Sequence, residues 1–547
     1  MGPQGPVVFY DTTLRDGTQQ LGVSLSTEDK LQLLCRFAEF GFDYVEGGWP
    51  GSNRKDLEFF RRARDLDLGE TRLVAFGATR RAGLPVEEDA SVRALVEAGA
   101  PAVCVVGKAW GLHVREALRT TPDENLAMIG DTVRHLKAHG LEVCFDAEHF
   151  FSGTEEDAGY ALEVVRAAAS AGADWVVLCD TNGGSLPSTV ARWTEAAARA
   201  VPGSLGIHTH DDGGLGVANA LAALEAGATQ VQGTVNGYGE RCGNANLCTL
   251  LASVVLKLGR PCRAAPRLKE LTRLSRFVSE ACNLPPTPGA PYVGPNAFAH
   301  KGGIHVSGIL RNTATYEHVS PDAVGNTREV VVSELAGGSN LEYKFQELGL
   351  EPNTPEARRD VLARVKTMEF DGYQFEGAEA SFELLARRVL GSMPRFFDPV
   401  AYTMSVSRSF GGREGSGPGG EADGAEARAK VCVRVAGRRF EREATGAGPV
   451  NAMDRALRAA LEAPYPEIQG MRLADYRVRV IDGRLGTASR VRVQIATESP
   501  SGYWTTVGVS DNVLDASWIA LGDGFAYGLL QGGAAVATAA AASGSGA

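Results

Sequence analysis

The 547-residue sequence contains no run of roughly twenty strongly apolar residues, which leaves no candidate for a membrane-spanning helix. At its start, MGPQGPVVFYDTTLRDG has no basic stretch leading into an apolar one, so no secretory signal is read there. The nine cysteines are odd in number, scattered, and form no C-x-x-C pair. Several sit in apolar runs such as AVCVVG and WVVLCD, where a thiol serves as a small buried hydrophobe. A disulfide framework is therefore excluded, and a reducing, cytoplasmic location is expected. Positive charge is also in short supply: 55 Lys and Arg face 66 Asp and Glu, for a net charge of −11. That balance excludes a protein held on nucleic acid by phosphate contacts, and a polybasic membrane binder. Hydrophobic residues, by contrast, make up 44%, enough to build cores and to exclude wholesale disorder. The length exceeds one ordinary domain, since domains run to about 150 residues.

Eight short apolar or β-branched runs end in polar residues and alternate with helical stretches. They are VVFYDTT (7–13), DYVEGG (43–48), RLVAFGAT (72–79), AVCVVGK (102–108), EVCFDAEHF (142–150), DWVVLCDTN (174–182), LGIHTHDD (205–212) and TQVQGTVN (229–236). A doubly wound open sheet would explain the alternation. Eight evenly spaced units favour a closed (β/α)8 TIM barrel, expected over 1–285. The rhythm stops in the Pro- and Gly-rich PPTPGAPYVGPNAFAHKGGIHVSGI, which reads as a loop-heavy connection. Helical stretches TPEARRDVLARVKTMEF and GAEASFELLARRVLGS complete a linker region over 286–395.

The remainder, 396–547, alternates in the strand manner and reads as a small α+β domain. Asn451-x-x-Asp454 and Asn512-x-x-Asp515 each open a helical stretch after strand-like segments, suggesting two strand-strand-helix units. The glycine-rich 411–427 segment reads as a flexible surface loop, and the Ala-rich end, VATAAAASGSGA, as a frayed tail.

FYDTTLRDGTQQ ends the first strand, at the face where such barrels place their active sites. In GIHTHDD, His208 and His210 are two apart on a strand, so both imidazoles leave the same side. In a closed barrel, strands one, seven and eight form one sector. Asp16, His208, His210 and Asn244, the last in NGYGERCGNANL, are thus candidates to meet on one ion. An oxygen and nitrogen set without thiolate suits Mg, Mn, Co or Zn. His149 and His300 read as local hydrogen-bonding residues, Cys242 as a small loop residue, and Glu240 with Arg241 as an ion pair bracing the loop.

DTTLRDG, the H-T-H pair and the G-E-R-x-G-N-A loop, in that order, resemble the barrel acyltransferase family that includes the 2-isopropylmalate, homocitrate and citramalate synthases. FAHKGGIHVSGI resembles the family's post-barrel segment. GAGPVNAMDRALRAAL, GTASRVRVQIAT and YWTTVGVSDNVLDASWIAL resemble its C-terminal allosteric domain. Subgroups differ after strand two, where EGGWPGSNRKD resembles the long citramalate synthases more than the Gly-Phe-Pro or Thr-Ser-Pro-like forms of the others. Trp49 in that segment is expected to narrow the keto-acid pocket toward a small methyl substituent.

The resemblance implies a metal-dependent Claisen-type transfer of acetyl from acetyl-CoA to pyruvate, giving (R)-citramalate and CoA for isoleucine synthesis. It implies that Arg15 stabilises charge on the keto oxygen and that Thr181 holds the substrate carboxylate. Glu148, His305 and Tyr316 would handle protons, the last two reaching the site from a partner subunit of a homodimer. The C-terminal domain would bind isoleucine, or leucine, as feedback inhibitor. A larger 2-oxo acid, as in the isopropylmalate and homocitrate synthases, is the alternative substrate. A related lyase is disfavoured by the C-terminal domain, and a biotin carboxyltransferase by the lack of an Ala-Met-Lys-Met site. A non-catalytic amino-acid sensor is disfavoured by the intact Asp/His/His/Asn set.

Overall fold

The structure, a computed structural model, describes residues 5–537 apart from 202, 333–336, 352–353, 409–425, 482–485 and 487–488. Most of the 411–427 segment and nearly all of the Ala-rich tail therefore lie outside the described residues. The chain divides into two compact units, one of residues 1–299 with 317–329, the other of 300–316 with 330–547.

The first unit is a closed parallel barrel in the order of the sequence. Its strands are β1 (Val8–Asp11), β2 (Tyr44–Gly48), β3 (Arg72–Ala78), β4 (Ala102–Lys108), β5 (Glu142–Glu148), β6 (Trp175–Asp180), β7 (Ser204–Thr209) and β8 (Gln230–Gly233). Each falls on one of the eight runs. Closure is direct, because Val8 to Asp11 pair in parallel with Gln230 to Gly233.

The strands are apolar on both faces because both are covered. On β4, Val103 and Val105 face the helices while Ala102 and Cys104 face the interior. On β5, Val143, Phe145 and Ala147 face out and Cys144 faces in. Three of the cysteines, Cys104, Cys144 and Cys179, thus fill the inside of the barrel beside Tyr10 and Phe76. The surrounding helices start where the caps dictate. Ser26 and Asp29 form a reciprocal capping box for the helix Thr27–Phe40, which stops at Gly41 with φ 101°. That helix buries Leu33, Leu34 and Phe37 completely; each such side chain contributes about 1.5–3 kcal/mol.

The second unit holds the helical and α+β regions. Its helical part has a core of Val332, Leu341, Phe345, Val361, Val365 and Phe382. Part of the segment expected as loop is helical here: Gly303–Arg311, whose Val306 and Ile309 are buried three residues apart. Its two leading glycines and short length hide that period in the sequence.

The α+β part contains two antiparallel meanders, β9 (Asp398–Ser407), β10 (Glu426–Val435) and β11 (Arg438–Gly446), then β12 (Arg472–Val480), β13 (Val491–Ser499) and β14 (Gly502–Ser510). A helix follows each, Pro449–Leu461 and Val513–Gln531, and both meanders and both helices share one core. The internal duplication therefore exists but has three strands per unit rather than two. The strand missed in the first half, RRFEREATG, is a polar edge with only Phe440 buried, so no alternation marks it. No helix among the described residues is long and apolar enough to cross a membrane.

Candidate active site

The β1 end is shaped by its own side chains. Asp11 accepts from the Thr13 backbone N–H at 3.0 Å and from its hydroxyl at 2.7 Å, turning the chain so that Arg15 and Asp16 face the barrel mouth. The Arg15 guanidinium pairs with the fully buried Glu46 on β2 and with Asp16 Oδ2 at 3.3 Å. It also lies 3.9 Å from the centre of the Phe76 ring. Trp49 packs edge-on against that ring with centres 5.4 Å apart. Held between two carboxylates, Arg15 stays charged despite its burial.

Period-two geometry on β7 delivers both imidazoles to Asp16. Its Oδ2 lies 3.5 Å from His208 Nε2 and 3.9 Å from His210 Nε2. One ligand atom from each of the three residues lies within 4.8 Å of the others, all buried. Asn244 joins them through a backbone bridge to His210. Its Nδ2 donates to the Tyr238 carbonyl at 3.2 Å, which leaves Oδ1 for another partner. Two glycines let the loop close: a Cβ on Gly243, at φ +97°, would sit 2.0 Å from the Gly237 carbonyl oxygen, and one on Gly239 would sit 2.2 Å from Asn244 Nδ2.

Among the described residues, Asp16 Oδ1, His210 Nδ1 and Asn244 Oδ1 are buried without a hydrogen-bond partner. Orphaned acceptors are costly when buried, and a cation held between Asp16 and Asn244 would satisfy their two oxygens. The electrostatics agree. Burial opposes ionisation of Asp16, but Arg15 and the His208 hydrogen bond hold its carboxyl far below the usual range. Burial also opposes protonation of His208, yet Asp16 pushes it up to about 9. Burial and the His208 charge push His210 down to about 4.

Around this centre is a cavity of about 740 Å3 whose lining includes Arg15, Asp16, Trp49, Glu148, Thr181 and His210. Glu148, at the end of β5, is paired with Lys108 at the end of β4. The Thr181 hydroxyl accepts from the His149 N–H at 2.9 Å, keeping its own hydrogen for another acceptor. Arg241 grips Asp212 with two bonds of 2.8 and 2.9 Å and approaches Glu240 at 3.3 Å, so it braces the loop mainly through Asp212. Cys242 is exposed in the same loop. His149 begins the helix Phe150–Ser170 with its ring 4.1 Å from that of His113. His300 accepts at its backbone carbonyl from Val331 N–H at 2.9 Å.

The barrel thus gathers Arg15, Asp16, Glu148, Thr181, His208, His210 and Asn244 at one end. His305 and Tyr316 belong to the second unit, where their rings stack with centres 4.2 Å apart. Glu46 and Lys108 escaped the sequence reading. The available signal was an ionisable residue at an interior-facing position of an otherwise apolar strand.

Three family models match consecutive stretches: HMGL-like over 6–278, homocitrate synthase post-HMGL domain-like over 292–372, and LeuA allosteric (dimerisation) domain over 378–529. The (R)-citramalate synthase of Aquifex aeolicus is 47% identical over 528 residues, covering 96% of this chain and 98% of the relative. That of Streptomyces coelicolor is 47% identical over 531 residues, covering 96% and 97%. A probable 2-isopropylmalate synthase of Methanopyrus kandleri is 33% identical over 512 residues, covering 93% and 96%. Full-length identity at this level, on a barrel that assembles the motif residues at one mouth, shows that the chain belongs to the 2-isopropylmalate, homocitrate and citramalate synthase family of condensing acyltransferases.

Proposed function

We propose that this enzyme condenses acetyl-CoA with pyruvate and water to (R)-citramalate and CoA, supporting isoleucine synthesis. The observation that carries the reading is the convergence of Asp16, His208 and His210 beside Arg15, in a chain 47% identical end to end to (R)-citramalate synthases. Asp16, His208, His210 and Asn244 would hold a divalent ion, Mg, Mn, Co or Zn. Bound there, it supplies Lewis-acid polarisation of the 2-oxo acid carbonyl.

The chain's own residues do the rest. Arg15, fixed by Glu46 and Phe76, donates to the keto oxygen as negative charge develops on it. The free hydrogen of the Thr181 hydroxyl orients the pyruvate carboxylate. Glu148 Oε accepts a proton from the acetyl methyl group, and the enolate carbon attacks the keto carbon to form the new C–C bond. His305 and Tyr316 of a partner subunit complete proton handling, which makes a homodimer the active form. Water then cleaves the thioester and frees the CoA thiol. In this reading the barrel (1–285) carries the chemistry, the linker region (286–395) carries His305 and Tyr316, and the C-terminal module (396–547) binds isoleucine as feedback inhibitor. The free cysteines suit a cytoplasmic setting.

Trp49, packed on Phe76, bounds the pocket on the side of the substituent and favours a methyl group. A panel of 2-oxo acids assayed by CoA thiol release tests this. Pyruvate is expected to be the best acceptor, with activity abolished by a chelator and restored by divalent metal. Faster release with 2-oxoisovalerate would assign the alternative, an isopropylmalate-type enzyme. Absence of release with every 2-oxo acid would leave an amino-acid sensor.

A further inference from the structure

Below the metal-ligand candidates, polar side chains interrupt the interior layer of apolar and thiol side chains, where such barrels are usually packed with branched apolar ones. Gln232 on β8 and Asp146 on β5 are buried at 0% and 4% exposure, and neither touches the cavity. They are linked to His208: its Nδ1 lies 2.8 Å from Gln232 Oε1, and Gln232 Nε2 donates to Asp146 Oδ1 at 3.1 Å.

The orientation of this chain of bonds is dictated by chemistry. A carboxylate oxygen can only accept, so the Gln232 NH2 must face Asp146. The other atoms around that NH2, Gln230 Oε1 at 3.5 Å and Cys144 Sγ at 3.6 Å, can also accept. The amide oxygen must then face His208, which meets it with a hydrogen on Nδ1. Nε2 is left directed at Asp16, 3.5 Å away. Uncharged Gln232 does this without adding a second carboxylate against the ring.

We propose that Asp146 and Gln232 are positioning residues: a buried relay that fixes the ring and tautomer of His208 so that Nε2 is presented to a divalent cation. The relay rests on the reading of the Asp16 centre as a cation site. Outer partners of ligating imidazoles of this kind contribute about 10–100-fold in metal affinity.

The test is Co2+ binding by the full-length protein, measured by chelator competition together with the visible spectrum of the bound ion. Q232M, similar in volume but without donor or acceptor, is expected to weaken binding about 10–100-fold and to shift the cobalt bands. D146L, which unpins the amide, is expected to weaken binding likewise. D146N, which keeps an acceptor oxygen for the Gln232 NH2, is expected to retain the affinity and the spectrum. A folded Q232M with wild-type affinity and bands overturns the relay. Should Q232M and D146L fail to fold by far-UV circular dichroism, Zn2+-loaded wild-type protein labelled with 15N-histidine decides. The His208 signals, identified by their loss in H208N, must show the proton on Nδ1, and metal on Nδ1 overturns the proposal. Wild-type protein that binds no cobalt removes the cation site itself, and the relay with it.

Discussion

His210 sits where a ligand role and a structural role separate cleanly. Its ring is buried and neutral, with Nδ1 unpartnered among the described residues, so it contributes little internal hydrogen bonding. His210→Ala is therefore expected to lower CoA release to background and to weaken cobalt binding while the far-UV circular dichroism stays native. Near wild-type activity in that variant removes His210 from the site. At this scale the sequence was readable where two ligands share one strand, as His208 and His210 do. It did not give the partners of Glu46, which meets Arg15 from 31 residues away, or of Gln232, which meets Asp146 from 86 residues away. No local pattern records such pairs, because side chains of different strands meet only once the strands are assembled side by side.

The turn that starts the helix after β5 holds a pH-sensitive histidine. His149 occupies it at φ 58°, a left-handed position, and burial together with the neighbouring His113 pushes its imidazole from 6.5 down to about 4. A depressed pKa in the folded state means that the unfolded chain binds the proton first. The stability this group contributes is complete above pH 6.5 and is lost as pH falls through 6.5 toward about 4. Buried Asp11 and Asp146, pushed up to about 7 and about 6, act with the opposite sign in this window, so the loss is read as the difference between wild type and a His149 variant in urea unfolding between pH 7.5 and 4.5. His149→Asn, which tolerates the same backbone angle, is expected to flatten the slope in that window. An unchanged slope would place the pH sensitivity in other groups. The barrel strands were legible because the runs are apolar and evenly spaced. The edge strand Arg438–Gly446 was not, since a strand with one buried side chain carries no period.

At the scale of the whole molecule, the two units have separate cores, so ligands of the two are expected to protect different segments from hydrogen exchange. Divalent cation is expected to protect peptides at the ends of β1, β7 and the loop around Asn244. Isoleucine is expected to protect peptides within 398–531. Isoleucine protection confined to the barrel would move the effector site out of the C-terminal module. Helix Glu379–Val389, inside the linker region, packs on both parts: Phe382 and Leu385 lie in the helical core, while Ser381 Oγ accepts from Val507 N–H at 2.9 Å and Tyr527 donates to Glu383 at 3.1 Å. The sequence by itself determined the eight-unit barrel, the placing of Asp16, His208 and Asn244 in one sector, and the acyltransferase family, because strand periodicity and short motifs are local properties. Only the tertiary structure decided which charge steadies Arg15, what lies behind His208, and how many strands each C-terminal repeat has. Those depend on contacts between residues far apart in the chain, which exist only once the backbone has closed on itself.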